Sequence, residues 1–190
     1  MPLPPDVARI IDDIDDIEAR VRRLTEPLTP SQLNWQPDGG RGWSIAQCLD
    51  HLRVTGDLYL PALEEAAALA RERGWKRRGP LELRGLLARW FVRQLEPPPR
   101  RRLRAPAKMQ PASILDPEAV LAGYFAALHR YRAFVQETAD LDLHRVRYRN
   151  PAARNLRIFT VAAGLFIMAA HERRHVWQAE QVRQAPGFPP

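Results

Sequence analysis

Two of the chain's five histidines, His171 and His175, stand four apart in the run His171, Glu172, Arg173, Arg174, His175. On an α-helix that spacing brings both imidazoles to one face about one turn apart, where a single metal ion can take both. The same spacing also occurs on solvated helix faces, so by itself it leaves both readings open. A third imidazole, His51, shares a helical stripe with Cys48, Leu52, Thr55 and Leu58 and therefore points inward. A lone inward histidine is commonly a hydrogen-bonded core residue. If its helix packs beside that of the pair, the axes lie about 8 to 10 Å apart, a gap across which three imidazoles can share an ion. Such a site keeps a coordination position open, as catalytic zinc-type sites do.

Other residues invite competing chemistry. His171 to His175 also fits the zincin pattern H-E-x-x-H, in which the glutamate is a general base. Gln178 and Gln181 stand where a metzincin carries Gly and His, no glutamate follows Glu180, and Arg173 and Arg174 charge the intervening positions. The protease reading therefore lacks its downstream ligand, and Glu172 reads as a surface or outer-shell carboxylate in preference to an acid–base group. Cys48, three residues before His51, reads as a buried inert thiol in preference to a fourth ligand. Asp50 reads as exposed in preference to orienting an imidazole. His129 and His144 have no partner at ligand spacing. Tyr124, Tyr131 and Trp177 follow helical spacing and read as core.

Four amphipathic helices would position these groups. Val7, Ile10, Ile11, Ile14, Ile17, Val21 and Leu24 predict a helix over 5–24. Pro27, Pro30, Pro37 and the Gly39 to Gly42 run then give turns. Ser44 and Gln47 form a capping-box pair that starts a second helix, reaching about Arg73, with Pro61 as a site for a kink. Asp116 and Pro117 start a third, through Val120, Tyr124, Leu128, Tyr131 and Val135. The fourth runs from near Thr160 to about Gln184, ahead of Pro186 and Gly187. Between the second and third lies an arginine- and proline-rich insertion, 74–116, with a short helix over 80–95.

The stretch Trp43, Ser44, Ile45, Ala46, Gln47, Cys48, Leu49, Asp50, His51, Leu52 resembles the start of the metal-binding helix in the DinB-like superfamily of bacterial four-helix-bundle proteins. His171 to Gln178, closed by Pro186, Gly187, Phe188 and Pro189, is similar to that family's terminal H-x-x-x-H helix and its tail. The resemblance covers most of the chain except the insertion. It implies an all-α four-helix bundle, one domain over 1–190, with His51, His171 and His175 as metal ligands and Zn or Ni as the divalent ion. It also implies a small-molecule substrate and either hydrolysis or transfer of a low-molecular-weight thiol of the mycothiol or bacillithiol kind. Related bundles are often homodimers. The competing class is a non-catalytic or stress-related bundle in which the ion only staples helices.

Composition narrows the setting. The 190 residues, 45% hydrophobic and 27% charged, suit one folded domain. A single cysteine rules out an intramolecular disulfide and suits a reducing cytoplasm. No secretory signal is expected, and the apolar run 158–170 is short of the roughly 20 residues that cross a bilayer, so no membrane partner is expected. The net charge of +7 is uneven: residues 70–108 hold 13 Lys or Arg against 3 Glu, while the remainder is net −3. That segment reads as a solvated loop in preference to a nucleic-acid or anionic-membrane site, and replacing Arg100, Arg101, Arg102 and Arg104 is expected to spare the metal site.

Overall fold

In the computed structural model, which describes residues 2–99, 104–113 and 115–190, the apolar spacing of the first segment becomes α1 (Pro5–Thr25), with Val7, Ile10, Ile14, Ile17 and Val21 buried. The turn region that follows holds α2 (Pro30–Asn34), closed by its own Thr29–Gln32 capping box, and α3 (Pro37–Gly40). The latter is a tight turn in which Asp38 and Gly39 take positive φ. Ser44 caps α4 (Ile45–Glu72) by accepting from the Gln47 N–H, and the Gln47 side chain accepts from the Ser44 N–H in return. The helix runs through Pro61 as one element. After α5 (Leu86–Leu95), Asp116 caps α6 (Pro117–Glu137) and Thr160 caps α7 (Val161–Arg183). Among the described residues there is no strand beyond two isolated bridges.

The long helices α1, α4, α6 and α7 form the bundle, and cross-helix pairs give its directions. Asp13 pairs with Arg173 and Arg20 with Glu180, so α1 and α7 run parallel. Asp15 with Arg132 and Glu18 with His129 make α1 and α6 antiparallel. His51 lies beside His171, and Leu63 beside Gly164, so α4 opposes α7. The neighbours are α1 with α6 and α7, and α4 with the same two. Across the remaining diagonal, two fully buried tyrosines of α6 reach α7: Tyr124 donates to Glu172 and Tyr131 to the Leu165 carbonyl.

Two glycines at helix contacts differ in what they permit. A Cβ on Gly164 would lie 2.8 Å from Leu63 Cδ2 and 2.9 Å from the buried Tyr148 ring, whereas one on Gly56 would make an ordinary 3.5 Å contact with Ala127. Urea unfolding is expected to show Gly164→Ala destabilised by up to about 2 kcal/mol, because an overpacking cost of about 1–3 kcal/mol is only partly offset by the roughly 1 kcal/mol that alanine adds to a helix. Gly56→Ala should be stabilised by about 0.5–1 kcal/mol.

The insertion differs from the solvated loop expected of its charge. Leu81, Ala88, Val92, Leu95 and Met109 are buried, α5 packs on α7, and Phe91 stacks on Phe159 with centroids 5.6 Å apart. Its helix begins at Leu86 and not near Pro80, because Gly85 takes a positive φ of 86° there. Arg100, Arg101 and Arg102 lie outside the described residues. No described helix is long and apolar enough to cross a membrane.

Candidate metal centre

His51 sits two turns into α4, and His171 and His175 occupy the middle of α7 where it opposes α4. One nitrogen from each imidazole falls within 4.8 Å of the others, and the ring centroids lie 4.5 to 5.0 Å apart. His51 Nδ1 faces the backbone carbonyl of Met109, which can only accept, so in the neutral ring Nδ1 carries the proton and Nε2 the lone pair. His175 Nδ1 is 3.0 Å from Gln178 Oε1, which selects the same tautomer. His51 Nε2 and His171 Nε2 are 3.2 Å apart. Two nitrogens each about 2.0–2.1 Å from one tetrahedral ion are separated by about 3.3 Å, so the donor set fits such an ion.

The electrostatics agree. Burial holds the His51 imidazole below its ordinary range. Burial, with the neighbouring His51 and Arg174 charges, pushes His171 down to about 3. His175 lies well below its ordinary value for the same reasons, burial first and then His171, His51 and Arg174. At neutral pH all three are neutral, the form that ligates. The hydrogen bonds at Nδ1 of His51 and His175 are of the kind that fix a ligand's tautomer and ring orientation.

A sequence model of the DinB superfamily matches residues 13–179, a span that holds all three histidines and the greater part of every bundle helix. The chain belongs to the DinB superfamily. Its structure is similar to that of YfiT from Bacillus subtilis, described as a probable metal-dependent hydrolase with an unusual four-helix bundle topology. The TM-score is 0.60 over 96% of this chain and 89% of that one, at 15% sequence identity, a likeness of fold. No curated protein matches the chain.

In this DinB-superfamily chain the imidazoles open onto a cavity of about 950 Å³. Trp43, placed by the Ser44 cap, lies 5.0 Å from the His51 ring and 5.8 Å from His175. Phe91 and Leu95 of α5, Met109, and Ile167 and Met168 of α7 make apolar walls, and Arg174, Gln178 and Gln181 add polar ones. The buried Arg174 also donates to the Gln94 carbonyl, which ties α7 to the end of α5. The insertion is thus a wall of the site, contrary to its expected independence.

Several expectations change. Asp50 is buried, not exposed. It accepts from the Arg53 guanidinium and from the Ala112 N–H, so it moors the insertion next to His51 without touching an imidazole. Glu172 is buried on the side away from the cavity against Tyr124, and burial raises its carboxyl to about 8. It therefore is neither a surface carboxylate nor a base facing the imidazoles. Trp177 lines the cavity instead of the core, whereas Tyr124 and Tyr131 are core as expected. His129 pairs with Glu18 at the surface, and His144 meets the Pro80 carbonyl. Cys48 is fully buried outside the cavity, with its thiol pushed up by desolvation. A thiol reagent should leave Cys48 unmodified in the native protein and react with it once denaturant unfolds the chain. Rapid native labelling would show that the core opens there.

Proposed function

We propose that this DinB-superfamily chain is a metal-dependent enzyme acting on a small-molecule substrate, as a hydrolase or a low-molecular-weight-thiol S-transferase, with a divalent ion, zinc or nickel, on His51, His171 and His175. The observation that carries this reading is the convergence of three neutral imidazoles, those of His51 and His175 buried and that of His171 half-buried, on one wall of an open cavity, two of them with Nδ1 already engaged. When bound there, such an ion supplies Lewis-acid chemistry, lowering the pKa of a water or thiol or polarising a carbonyl.

The surrounding residues fit a substrate with an apolar body. Trp43, Phe91, Leu95 and Met168 give the approach to the imidazoles an apolar lining, and Gln178 and Gln181 offer amide groups for orientation. About 950 Å³ is ample for a metabolite, since ligand pockets run from about 300 to 1,000 Å³. A metal that only stapled helices would need no such opening, so the cavity favours catalysis over a structural role. The description of YfiT as a probable metal-dependent hydrolase is consistent with this reading.

Cobalt substitution tests it. The visible spectrum of the Co(II)-loaded protein is expected to change when a low-molecular-weight thiol or small anion is added, and the change should be absent in His171→Ala. A spectrum indifferent to every small ligand tried would assign the centre a structural role. Ester, amide and thiol-transfer assays on the zinc and nickel forms then separate the two reactions.

A further inference from the structure

Three of the four large hydrophobic side chains that the described residues expose belong to one short helix. On α5, Leu86 is 86% exposed, Leu87 56% and Trp90 58%. Leu86 and Trp90 are one turn apart with Leu87 beside them, on the side opposite Ala88, Val92 and Leu95, which pack inward. A helix apolar on both faces is ordinarily covered on both. Its flanks are basic: Arg89 and Arg93 are exposed along one edge of the apolar face, and Arg78 and Arg84 precede it. Residues 77–95 contain five arginines and one glutamate, Glu82, which pairs with Arg84.

We infer that the outer face of α5 docks on an anionic lipid surface, with Leu86, Leu87 and Trp90 entering the headgroup boundary and Arg78, Arg89 and Arg93 meeting lipid phosphates. Leucine and tryptophan on one face with arginines at its margin is the composition of a helix that lies in the plane of a bilayer interface. A second copy of the chain is the weaker occupant on charge grounds. A symmetric contact through this face would bring the arginines of both copies into one interface, and an antiparallel one would set Arg89 and Arg93 of each beside the other's, with no exposed carboxylate on α5 to offset them. Three apolar side chains and a few charges make a reversible contact, distinct from a spanning anchor, so the lack of a membrane-crossing helix does not bear on it. The inner face of α5 supplies Phe91 and Leu95 to the cavity, so docking would bring the cavity close to the lipid. The inference is independent of the reaction proposed above.

Co-sedimentation of the full chain with vesicles tests it. Partition onto vesicles of phosphatidylglycerol mixed with phosphatidylcholine is expected to exceed that onto phosphatidylcholine alone at least tenfold, and to fall as salt rises. The double variant Leu86→Ser, Trp90→Ser should lose most of the binding while keeping its helicity and melting temperature. Arg89→Glu with Arg93→Glu should abolish the preference for anionic lipid. Equal partition onto both vesicles, or binding unchanged in the apolar variant, would overturn the inference. So would sedimentation showing a wild-type oligomer that the apolar variant dissolves without any lipid binding, which would assign the face to a second copy.

Discussion

Single replacement of His51, His171 or His175 by alanine is expected to strip the metal from the protein, while His129→Ala and His144→Ala keep it at wild-type stoichiometry. Changing a residue that only supports a ligand costs about 10–100-fold in metal affinity, and removing one of three ligands costs more. The variants should stay folded, since each alanine removes a polar ring from the edge of a cavity and not from the packed centre of the bundle. His51→Ala carries an extra cost, because the buried Met109 carbonyl loses its donor, worth about 1–3 kcal/mol. His129 is an exposed partner of Glu18, and its loss should change stability by no more than about 1 kcal/mol. Elemental analysis of the five variants alongside circular dichroism decides the matter. Full metal content in any of the first three would remove that residue from the site.

The second large effect concerns the insertion. Replacing residues 82–113 with a Gly/Ser linker of equal length is expected to leave the α1, α4, α6 and α7 helicity in place. It should lower stability by several kcal/mol and weaken metal binding roughly 10–100-fold. The stability loss follows from the burial of Ala88, Val92, Leu95 and Met109, whose side chains would leave the packed interior. The affinity loss follows from the Met109 carbonyl, which orients His51, and from the mooring of Ala112 on Asp50 one residue away. Asp50→Ala, which cuts that mooring while keeping the segment, should reproduce part of the affinity loss. Metal titration that gives the same affinity for wild type and both variants would restore the view of the insertion as a separable loop. Arginine replacement is a different test: Arg104 lines the cavity, while Arg100, Arg101 and Arg102 lie outside the described residues.

The bundle was legible because its signals are local. Apolar spacing marks α1, and the caps at Ser44, Asp116 and Thr160 are side-chain bonds to backbone groups two or three residues on, so they can be read from adjacent positions. The convergence of the three histidines was legible for a related reason, since helical spacing aims two of them together and a family resemblance supplies the third. What supports them was not. Met109 orients His51 through a backbone carbonyl, a group that every residue possesses and that no pattern marks. The burial of Asp50 and Glu172 was not legible because the segments that cover them come from afar: the Ala112 N–H meets Asp50, whose other partner Arg53 is local, and the Tyr124 hydroxyl meets Glu172, 62 and 48 residues away. The short helix in the insertion was legible but its packing was not, because the segment's charge obscured a buried face that consists of only Ala88, Val92 and Leu95.

On the proposed reading, one ion sits on three histidines with a position left open to the cavity. The direct measurement is elemental analysis of protein purified without a polyhistidine tag, joined to a crystal structure with anomalous scattering at the absorption edge of the metal found. One divalent ion per chain is expected, bound through a nitrogen of each of His51, His171 and His175, with its remaining ligand a solvent or small molecule on the cavity side. Protein without bound metal, an ion elsewhere, or an ion closed off by a fourth protein ligand would contradict it.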